Sequence, residues 1–355
     1  MKYGKLGTTD IDVSRICLGT MTWGVQNDQA DADGQMDMAL DMGVNFWDTA
    51  EMYPMRSKPE QYGDTETILG DWMGRNASRR SEVVLATKHS PVTDHPSGRS
   101  SEISRQSITN ALDESLKKLK TDYVDLYQLH WPTNRSHYHF SKYWDHQHAS
   151  GADARDRIVD NQLESVQALT ELQKAGKIRC WGLSDDTAWG LNSFLRLADQ
   201  QGLARPQSIQ HEYHLLLWLD EVIMQETCAL EGVSYLPWGP IIGGMLSGKY
   251  NDGKRPDGAR FTSHFRRPEA ERNQRVRPGT LDAVASYLAF AEQYGIDITQ
   301  LAIAWTIREP WMTSTIIGAT NLEQLKTNIE AVDFDITDEM YAALAQLRRK
   351  HPLAF

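Results

Sequence analysis

Four residues whose side chains can hold or move a proton lie at or just beyond the ends of short apolar segments: Asp48, Tyr53, Lys88 and His130. When hydride reaches a carbonyl carbon, negative charge develops on the oxygen, and the site must offer that oxygen a proton or hydrogen-bond donors. A phenol can give the proton, and a nearby ammonium group lowers the phenol pKa from its ordinary value near ~10. The pattern therefore predicts Tyr53 as general acid beside Lys88. Asp48 would keep the ammonium charged, and His130 would orient the substrate oxygen.

Each of the four also has an ordinary structural interpretation. Asp48 could cap a helix, and Lys88 could form an ion pair at the rim of a barrel. Tyr53 could be a loop aromatic, and His130 an imidazole with its hydrogen bonds satisfied, because polar residues at strand ends are common. The catalytic interpretation is favoured because the four groups are chemically compatible and follow strands that open on one face.

Short apolar strands alternate with amphipathic helical segments along most of the chain, which predicts a (β/α)8 TIM barrel. The predicted strands cover residues 16–18, 44–47, 83–87, 123–129, 178–183, 208–210, 233–236 and 314–317. In such a barrel the carboxyl ends of all strands meet at one face, where the active site lies. Residues 2–5 and 11–14 predict an N-terminal β-hairpin that plugs the opposite end. The long polar connections 54–65, 132–156 and 251–279 predict binding loops or lids at the C-terminal face.

Length and composition limit the possible functions. We expect the 355 residues to form one domain, 1–355, because no linker or internal repeat divides them. A net charge of −11 argues against a nucleic-acid or anionic-membrane partner. No signal segment or membrane span is predicted, and the three scattered cysteines indicate reduced thiols, so we expect a cytoplasmic protein. The sequence does not indicate an oligomeric state.

Three segments carry a resemblance to a known family. Residues 43–53 run from Gly43 through Asp48 to Tyr53, Thr87 precedes Lys88, and Trp131 follows Leu129-His130. With these motifs the chain resembles the aldo-keto reductases, essentially end to end, and is most similar to the Tas-like branch and the related potassium-channel β subunits. The resemblance implies a barrel, a nicotinamide cofactor bound without a Rossmann fold, and reduction of a small carbonyl substrate. The sequence agrees in lacking a Gly-x-Gly-x-x-Gly segment that opens a helix.

The same resemblance implies where the nicotinamide end of the cofactor lies. Ser184, Asp185 and Gln210 would hold the carboxamide, and Trp238 would stack on the ring. Asp185 departs from the asparagine usual at this position, and an ionised aspartate can accept from the amide but cannot donate to it. Further cofactor contacts are implied at four positions on the first two strand ends: Gly19, Thr20, Met21 and Asp48.

Two later loops are implied to bind the phosphates and the adenosine. The pyrophosphate loop would contain the residues Gly239, Pro240, Ile241, Gly243, Ser247 and Lys249, whose glycines permit close backbone approach. The adenosine end would contact the residues around the last helix start, Gly318, Thr320, Gln324 and Asn328, where amide groups suit a phosphate. Arg260 lies where related sequences place an arginine near the 2′-phosphate, so NADPH is favoured over NADH.

Aromatic residues predict how the substrate is bound. Trp23, Tyr53, His130 and Trp131 are the candidate substrate contacts, and Tyr138 and Trp144 could extend the same aromatic pocket. Packing that holds the loop is the other interpretation of these rings. The histidines at 137, 139, 146 and 148 invite a zinc site, but no cysteine or carboxylate has matching spacing, and no metal is predicted.

Two alternative functions stay open at this point. Lys88 could attack a carbonyl to form a Schiff base, as in an aldolase, if its pKa were lowered. The chain could also be a regulatory subunit that binds nucleotide with little turnover, as the resemblance to channel β subunits permits. The complete set of four catalytic residues favours the reductase.

Overall fold

The structure is a computed structural model that describes residues 1–55, 58–133, 150–262 and 278–353. The chain begins with an antiparallel hairpin of β1 (Tyr3–Lys5) and β2 (Asp12–Ser14), in which Tyr3 pairs with Ser14. Leu6, Ile11 and Val13 of this hairpin lie in one buried cluster with inward-facing residues of the barrel strands. The hairpin thus closes the end of the barrel where the strands begin, as predicted.

Eight parallel strands form a closed barrel in which β10 pairs with β3 to complete the ring. Their bounds are β3 (Ile16–Gly19), β4 (Phe46–Asp48), β5 (Val84–His89), β6 (Val124–Leu129), β7 (Ile178–Ser184), β8 (Ser208–Glu212), β9 (Ser234–Trp238) and β10 (Thr315–Ile317). The predicted fold class is confirmed. Several strands run further than predicted at their carboxyl ends: β5 includes both Lys88 and His89, β8 continues to Glu212, and β9 includes Trp238.

Helices follow the barrel strands and surround them. Their bounds are α1 (Gln29–Asp41), α2 (Asp64–Arg75), α3 (Arg105–Leu119), α4 (Ala152–Lys174), α5 (Ala188–Gln201), α6 (Asp220–Ile223), α7 (Gln225–Glu231), α8 (Pro278–Tyr294), α9 (Ile298–Trp305), α10 (Leu322–Glu330) and α11 (Asp338–Lys350). Several begin at a side chain that accepts a hydrogen bond from the first turn, as Asp28 does for α1 and Ser104 for α3. None of the described helices is both long and apolar enough to cross a membrane.

Alternation along each strand separates two layers of side chains. Trp47 points outward and packs edge-on against Trp72 of α2, with ring centroids 5.1 Å apart. Asp48, the next residue, points into the barrel, where Lys88 lies beside it. Outward positions therefore build the core between strands and helices, and inward positions at the carboxyl ends carry the polar groups.

The predicted long connections are partly within the described residues. The segment 54–65 contains a 3₁₀ turn at Pro59–Gln61, and α2 already begins at Asp64. Residues 134–149 and 263–277 lie outside the description, so Tyr138, Trp144 and the four histidines of the zinc alternative are not placed. Cys17, Cys180 and Cys228 are buried free thiols.

Candidate active site

Lys88 lies at the centre of a buried polar cluster at the carboxyl end of the barrel. Its Nζ donates to Asp48 Oδ2 at 2.5 Å, to the Thr49 carbonyl at 2.9 Å and to Tyr53 Oη at 3.5 Å. The lysine side chain has 0 % exposure, and Asp48 is also buried. Three of the four predicted catalytic groups therefore meet around one ammonium group.

A short backbone path brings Tyr53 over the lysine. After Asp48 ends β4, the Thr49 N–H donates to the Ala86 carbonyl at 2.9 Å, and the Glu51 N–H donates to the Lys88 carbonyl at 3.2 Å. These bonds fold the β4–α2 loop across the end of β5. The Tyr53 ring then lies against Lys88, with the lysine Nζ 5.0 Å from the centre of the ring.

Two glutamines engage the other oxygen of the Asp48 carboxylate. Gln128 Nε2 donates to Asp48 Oδ1 at 3.1 Å, and Gln210 Nε2 donates to the same oxygen at 2.9 Å. Burial alone would lower the pKa of Lys88, but the Asp48 carboxylate and the Tyr53 phenol raise it above its ordinary value. Lys88 therefore remains an ammonium ion at neutral pH, which disfavours its use as a Schiff-base nucleophile.

The pKa of Tyr53 departs from the sequence-based expectation. Burial raises the pKa of the phenol above its ordinary value, and the opposing effect of Lys88 does not outweigh burial. The expected lowering is thus wrong as a net direction, although the lysine acts in the predicted sense. A buried phenol that stays protonated has its proton available for a developing oxyanion.

His130 completes the arrangement from the end of β6. Its ring centroid lies 5.8 Å from that of Tyr53 with an interplanar angle of 76°. Its Nδ1 lies 2.6 Å from Ser90 Oγ, and its backbone N–H donates to the His89 carbonyl at 3.0 Å. The imidazole and the phenol therefore border the same space, as a pair of donors to one substrate oxygen requires.

Apolar side chains cover one side of this space. Ala50, Met52, Tyr53 and Val92 form a buried cluster, and four partly buried residues pack against it: Met21, Met55, Tyr62 and Trp131. Trp131 also contacts His130, with ring centroids 4.6 Å apart. Such a wall suits the apolar part of a small carbonyl compound.

The predicted substrate contact at Trp23 is not supported by its placement. The indole has 0 % exposure, lies in the core between the barrel and its helices, and donates from Nε1 to Gln35 Oε1 at 3.3 Å. Of the two interpretations of this ring, packing is the one the structure bears out. The β3–α1 loop turns the ring inward, into this core.

Trp238, the predicted partner of the nicotinamide ring, is held by Asp185. Trp238 Nε1 donates to Asp185 Oδ1 at 3.2 Å, and Asp185 is buried with a φ of 48° in the left-handed region. Ser184 pairs in register with Gln210, whose amide also reaches Asp48. The predicted carboxamide-binding residues are thus brought to the same end of the barrel as the catalytic groups.

The loop after β9 has the features of an anion site. Gly243 and Gly244 both have positive φ, of 60° and 92°. A Cβ on Gly244 would lie 2.5 Å from Lys249 Nζ, and one on Gly243 would lie 2.7 Å from Arg260 Cδ. Two cations therefore lie beside a turn whose positive φ angles favour glycine. Burial together with Arg260 lowers the pKa of Lys249. The Ser247 hydroxyl closes the turn by donating to the Gly244 carbonyl at 2.7 Å.

The start of α10 lies near the β3–α1 loop. Asn321 caps the helix by accepting from the Gln324 N–H at 2.9 Å, and Gln324 Oε1 accepts from the Thr320 backbone N–H and hydroxyl at 3.0 Å. Asn328 Nδ2 donates to the Gly318 carbonyl at 3.2 Å. The predicted adenosine contacts form one hydrogen-bonded group around an exposed helix N-terminus.

The carboxyl end of β3 lies beside the residues around the start of α10. Gly19 approaches β10 so closely that a Cβ would lie 2.7 Å from the Ile317 carbonyl oxygen. Thr20 Oγ1 donates to the Asp48 carbonyl at 2.9 Å, and the Met21 carbonyl accepts from the Met55 N–H at 2.9 Å. The β3 end therefore adjoins both the catalytic groups and the loop that carries Tyr53.

Sequence reasoning missed several groups that form hydrogen bonds with the candidate catalytic residues. Gln128 lies two positions before His130 on β6, so the period of two along a strand already places it on the inward face. Ser90 and Glu51 had no such signal, because both lie in loops. The contacts that use them join segments about 40 residues apart, since Ser90 reaches both Glu51 and His130.

The sequence model of the Aldo/keto reductase family matches residues 15–349. The chain is 38 % identical to Protein tas of Escherichia coli (strain K12) over 348 residues, which cover 97 % of this chain and 96 % of that protein. It is 31 % identical to the uncharacterized oxidoreductase YrpG of Bacillus subtilis, over 97 % of this chain and 95 % of that one. Identity to the putative voltage-gated potassium channel subunit beta of Schizosaccharomyces pombe is 30 %, over 98 % and 93 % of the two chains.

Proposed function

This chain belongs to the aldo/keto reductase family, and we propose that it reduces aldehydes or ketones to alcohols with NADPH, using Tyr53 as the general acid. The observation that carries the proposal is the contact of the Tyr53 phenol with a buried Lys88–Asp48 ion pair, next to His130. We also propose that the substrate is a small carbonyl compound and that the protein has no nucleic-acid or membrane partner. The chain would form one domain and act in the cytoplasm.

The proposed chemistry distributes the proton and the charge among these residues. NADPH, when bound, would supply the hydride that reaches the carbonyl carbon. Tyr53 gives its proton to the carbonyl oxygen, and the Lys88 ammonium group stabilises the phenolate left behind. Asp48 keeps Lys88 charged and in place, and His130 donates a hydrogen bond that orients the carbonyl before transfer.

The residues of the described chain fit such a cofactor. Lys249 and Arg260 lie over the Gly243–Gly244 turn, where phosphate groups could approach the backbone closely. Trp238 offers a ring held in one orientation by Asp185, as stacking on a flat nicotinamide requires. The paired cations support NADPH over NADH, because a 2′-phosphate adds charge that an arginine can bind.

The alternative of a nearly inactive regulatory subunit draws on the S. pombe relative, whose name describes a channel subunit. The arrangement of the four candidate catalytic residues favours turnover, because Lys88 contacts Asp48 and Tyr53, and the ring of Tyr53 lies edge-on to that of His130. An aldolase is disfavoured by the Asp48 contact to Lys88. Trapping of a carbonyl substrate on Lys88 by borohydride would support the aldolase instead.

The direct test follows NADPH absorbance with activated aromatic aldehydes and dicarbonyls. We expect Tyr53→Phe to lower kcat by about 100-fold or more, because general acid catalysis contributes on this scale. Tyr127→Phe is the matched control: this phenol is also buried, but it donates to the Ile108 carbonyl outside the site. Full activity in Tyr53→Phe would remove the proton-donor role, and no turnover of any substrate by the native protein would favour the regulatory subunit.

A further inference from the structure

Ser90 is a fully buried residue that joins two parts of the site. It directly follows β5, has 0 % exposure, and lies two positions after Lys88. Its backbone N–H donates to Glu51 Oε1 at 2.5 Å, and its hydroxyl lies 2.6 Å from His130 Nδ1. The distance between hydroxyl and imidazole is that of a strong hydrogen bond.

The direction of this hydrogen bond follows from the requirement that the buried hydroxyl donate its proton to an acceptor. A buried O–H that finds no acceptor loses free energy, so nearly all such groups are paired. In the parts of the chain that the structure describes, His130 Nδ1 is the only hydrogen-bond partner of Ser90 Oγ. Ser90 must therefore donate, and Nδ1 must accept.

The bond direction decides which nitrogen of a neutral imidazole carries the proton. A ring nitrogen that accepts has no hydrogen, so the proton of neutral His130 lies on Nε2. An Nε2–H can donate to a carbonyl oxygen, whereas the other tautomer would present a lone pair to that oxygen. Catalysis that uses His130 as a neutral donor needs the first tautomer.

We propose that Ser90 is a positioning residue that holds neutral His130 in its Nε2–H tautomer and so makes it a hydrogen-bond donor to the substrate. The catalytic consequence rests on the proposed reductase function, but the tautomer itself does not. The hydroxyl acts on Nδ1, and the Nε2–H of this tautomer would be the donor to the substrate oxygen.

Glu51 fixes the serine in place. Its Oε1 accepts from the Ser90 N–H and lies 2.9 Å from His89 Nδ1, and its Oε2 accepts from Arg99 at 2.7 Å. Burial alone would raise the pKa of Glu51, but the contacts from His89 and Arg99 lower it to about 2. The carboxylate therefore stays charged at neutral pH, and the backbone of Ser90 has a strong acceptor.

Nitrogen-15 NMR of histidine-labelled protein tests the tautomer without any catalytic assay. At a pH where His130 is neutral, we expect its Nε2 to be protonated and its Nδ1 to be bare, and Ser90→Ala to show the Nδ1–H tautomer as well. Assignment uses the signal that disappears in His130→Gln. A native spectrum with Nδ1 protonated would overturn the proposal, and it decides the matter even if Ser90→Ala does not fold.

Kinetics test the consequence for the reaction. The loss of one hydrogen bond in Ser90→Ala should lower kcat/KM for an aldehyde about tenfold, with the Kd of NADPH unchanged. Ser90→Thr keeps the hydroxyl and should retain the native tautomer. Ser208→Ala is the matched control, because this buried serine begins β8, at the end of the barrel opposite to His130.

The two proposals fail in different ways. If the native protein reduces aldehydes but Ser90→Ala leaves the His130 spectrum and kcat/KM unchanged, Ser90 has no positioning role and the reductase function stands. If the tautomer changes as expected but no carbonyl is reduced, the assignment of Ser90 stands and the proposed function is wrong.

Discussion

Lys88 shows how one buried charge can be stabilised largely by groups that also have a role in the proposed reaction. An isolated ammonium ion with no exposure would be very costly to bury, but here it meets a carboxylate, a carbonyl and a phenol. The same contacts raise the pKa of Lys88. Asp48 is in turn held by Gln128 and Gln210, so removal of either glutamine would leave a less constrained carboxylate.

Asp185 gives a prediction at the scale of a single residue. Its carboxylate accepts from the Trp238 indole and would lie near a nicotinamide ring stacked on that indole. A negative charge there favours the oxidised, cationic ring over the neutral reduced ring. We therefore expect Asp185→Asn to weaken binding of NADP⁺ relative to NADPH by about tenfold, which titration calorimetry with each form measures.

A second variant separates charge from orientation. Trp238→Phe removes the indole N–H but keeps the carboxylate, so both forms of the cofactor should bind more weakly while their affinity ratio stays near the native value. An unchanged ratio in Asp185→Asn would show that the carboxylate does not act on the nicotinamide through its charge.

The β9–α8 connection supports a prediction at the scale of an element. Gly244 has a φ of 92°, and a Cβ there would meet Lys249 Nζ at 2.5 Å. Gly244→Ala should displace the lysine and weaken NADPH binding about tenfold or more, measured by quenching of tryptophan fluorescence. Gly258→Ala is a matched control, because Gly258 also has a positive φ of 70° but a Cβ there would meet nothing within 4 Å. Equal losses in both variants would point to backbone strain alone.

The contact between α2 and β5 supports a prediction about stability and pH. Glu66 of α2 is fully buried and accepts from Thr87 Oγ1 at 2.7 Å. Burial raises the pKa of Glu66 to about 7, and the Thr87 hydrogen bond only partly opposes this. The unfolded chain loses this proton near pH ~4.3 but the folded chain only near 7, so this group should reduce the stability of the fold as pH rises between these values.

Glu66→Gln should remove that dependence. We expect the free energy of unfolding, measured by urea titration, to exceed the native value above pH 7 by up to about 3 kcal/mol, and the difference to shrink toward pH 4. Glu82→Gln, at an exposed carboxylate, is the control. If the free energy of unfolding of Glu66→Gln differed from that of the native protein by the same amount at pH 5 and pH 8, the raised pKa of Glu66 would be contradicted.

On the scale of the whole molecule, stability and chemistry occupy opposite ends of the barrel. The hairpin residues pack at the amino ends of the strands, and the candidate catalytic groups lie at the carboxyl ends. Leu6→Ala should therefore lower the free energy of unfolding by about 3 kcal/mol through loss of buried volume, with kcat/KM near the native value. Leu230→Ala, at a side chain with 78 % exposure, should change neither quantity. A large loss of kcat/KM in the folded Leu6→Ala protein would show that the two ends are coupled.

Much of this arrangement follows from the sequence because it depends on local periodicity. Alternating strands and helices predict the barrel, and a barrel brings the ends of β4, β5 and β6 to one face. The sequence alone therefore predicts that Asp48, Lys88 and His130 lie near one another. The hairpin plug follows in the same way, from two short strands joined by a turn-prone segment.

Only the tertiary structure decides which groups touch and how strongly they perturb one another. Burial, which depends on the whole packed molecule, makes the pKa of Tyr53 rise although its neighbour Lys88 acts to lower it. The turn of the β3–α1 loop places Trp23 in the core. A contact between two loops 40 residues apart in sequence joins the Ser90 hydroxyl to His130 Nδ1. Residue type and spacing determine the chemistry that is possible, whereas desolvation and long-range contacts, which have no local signature, determine the state in which each group performs it.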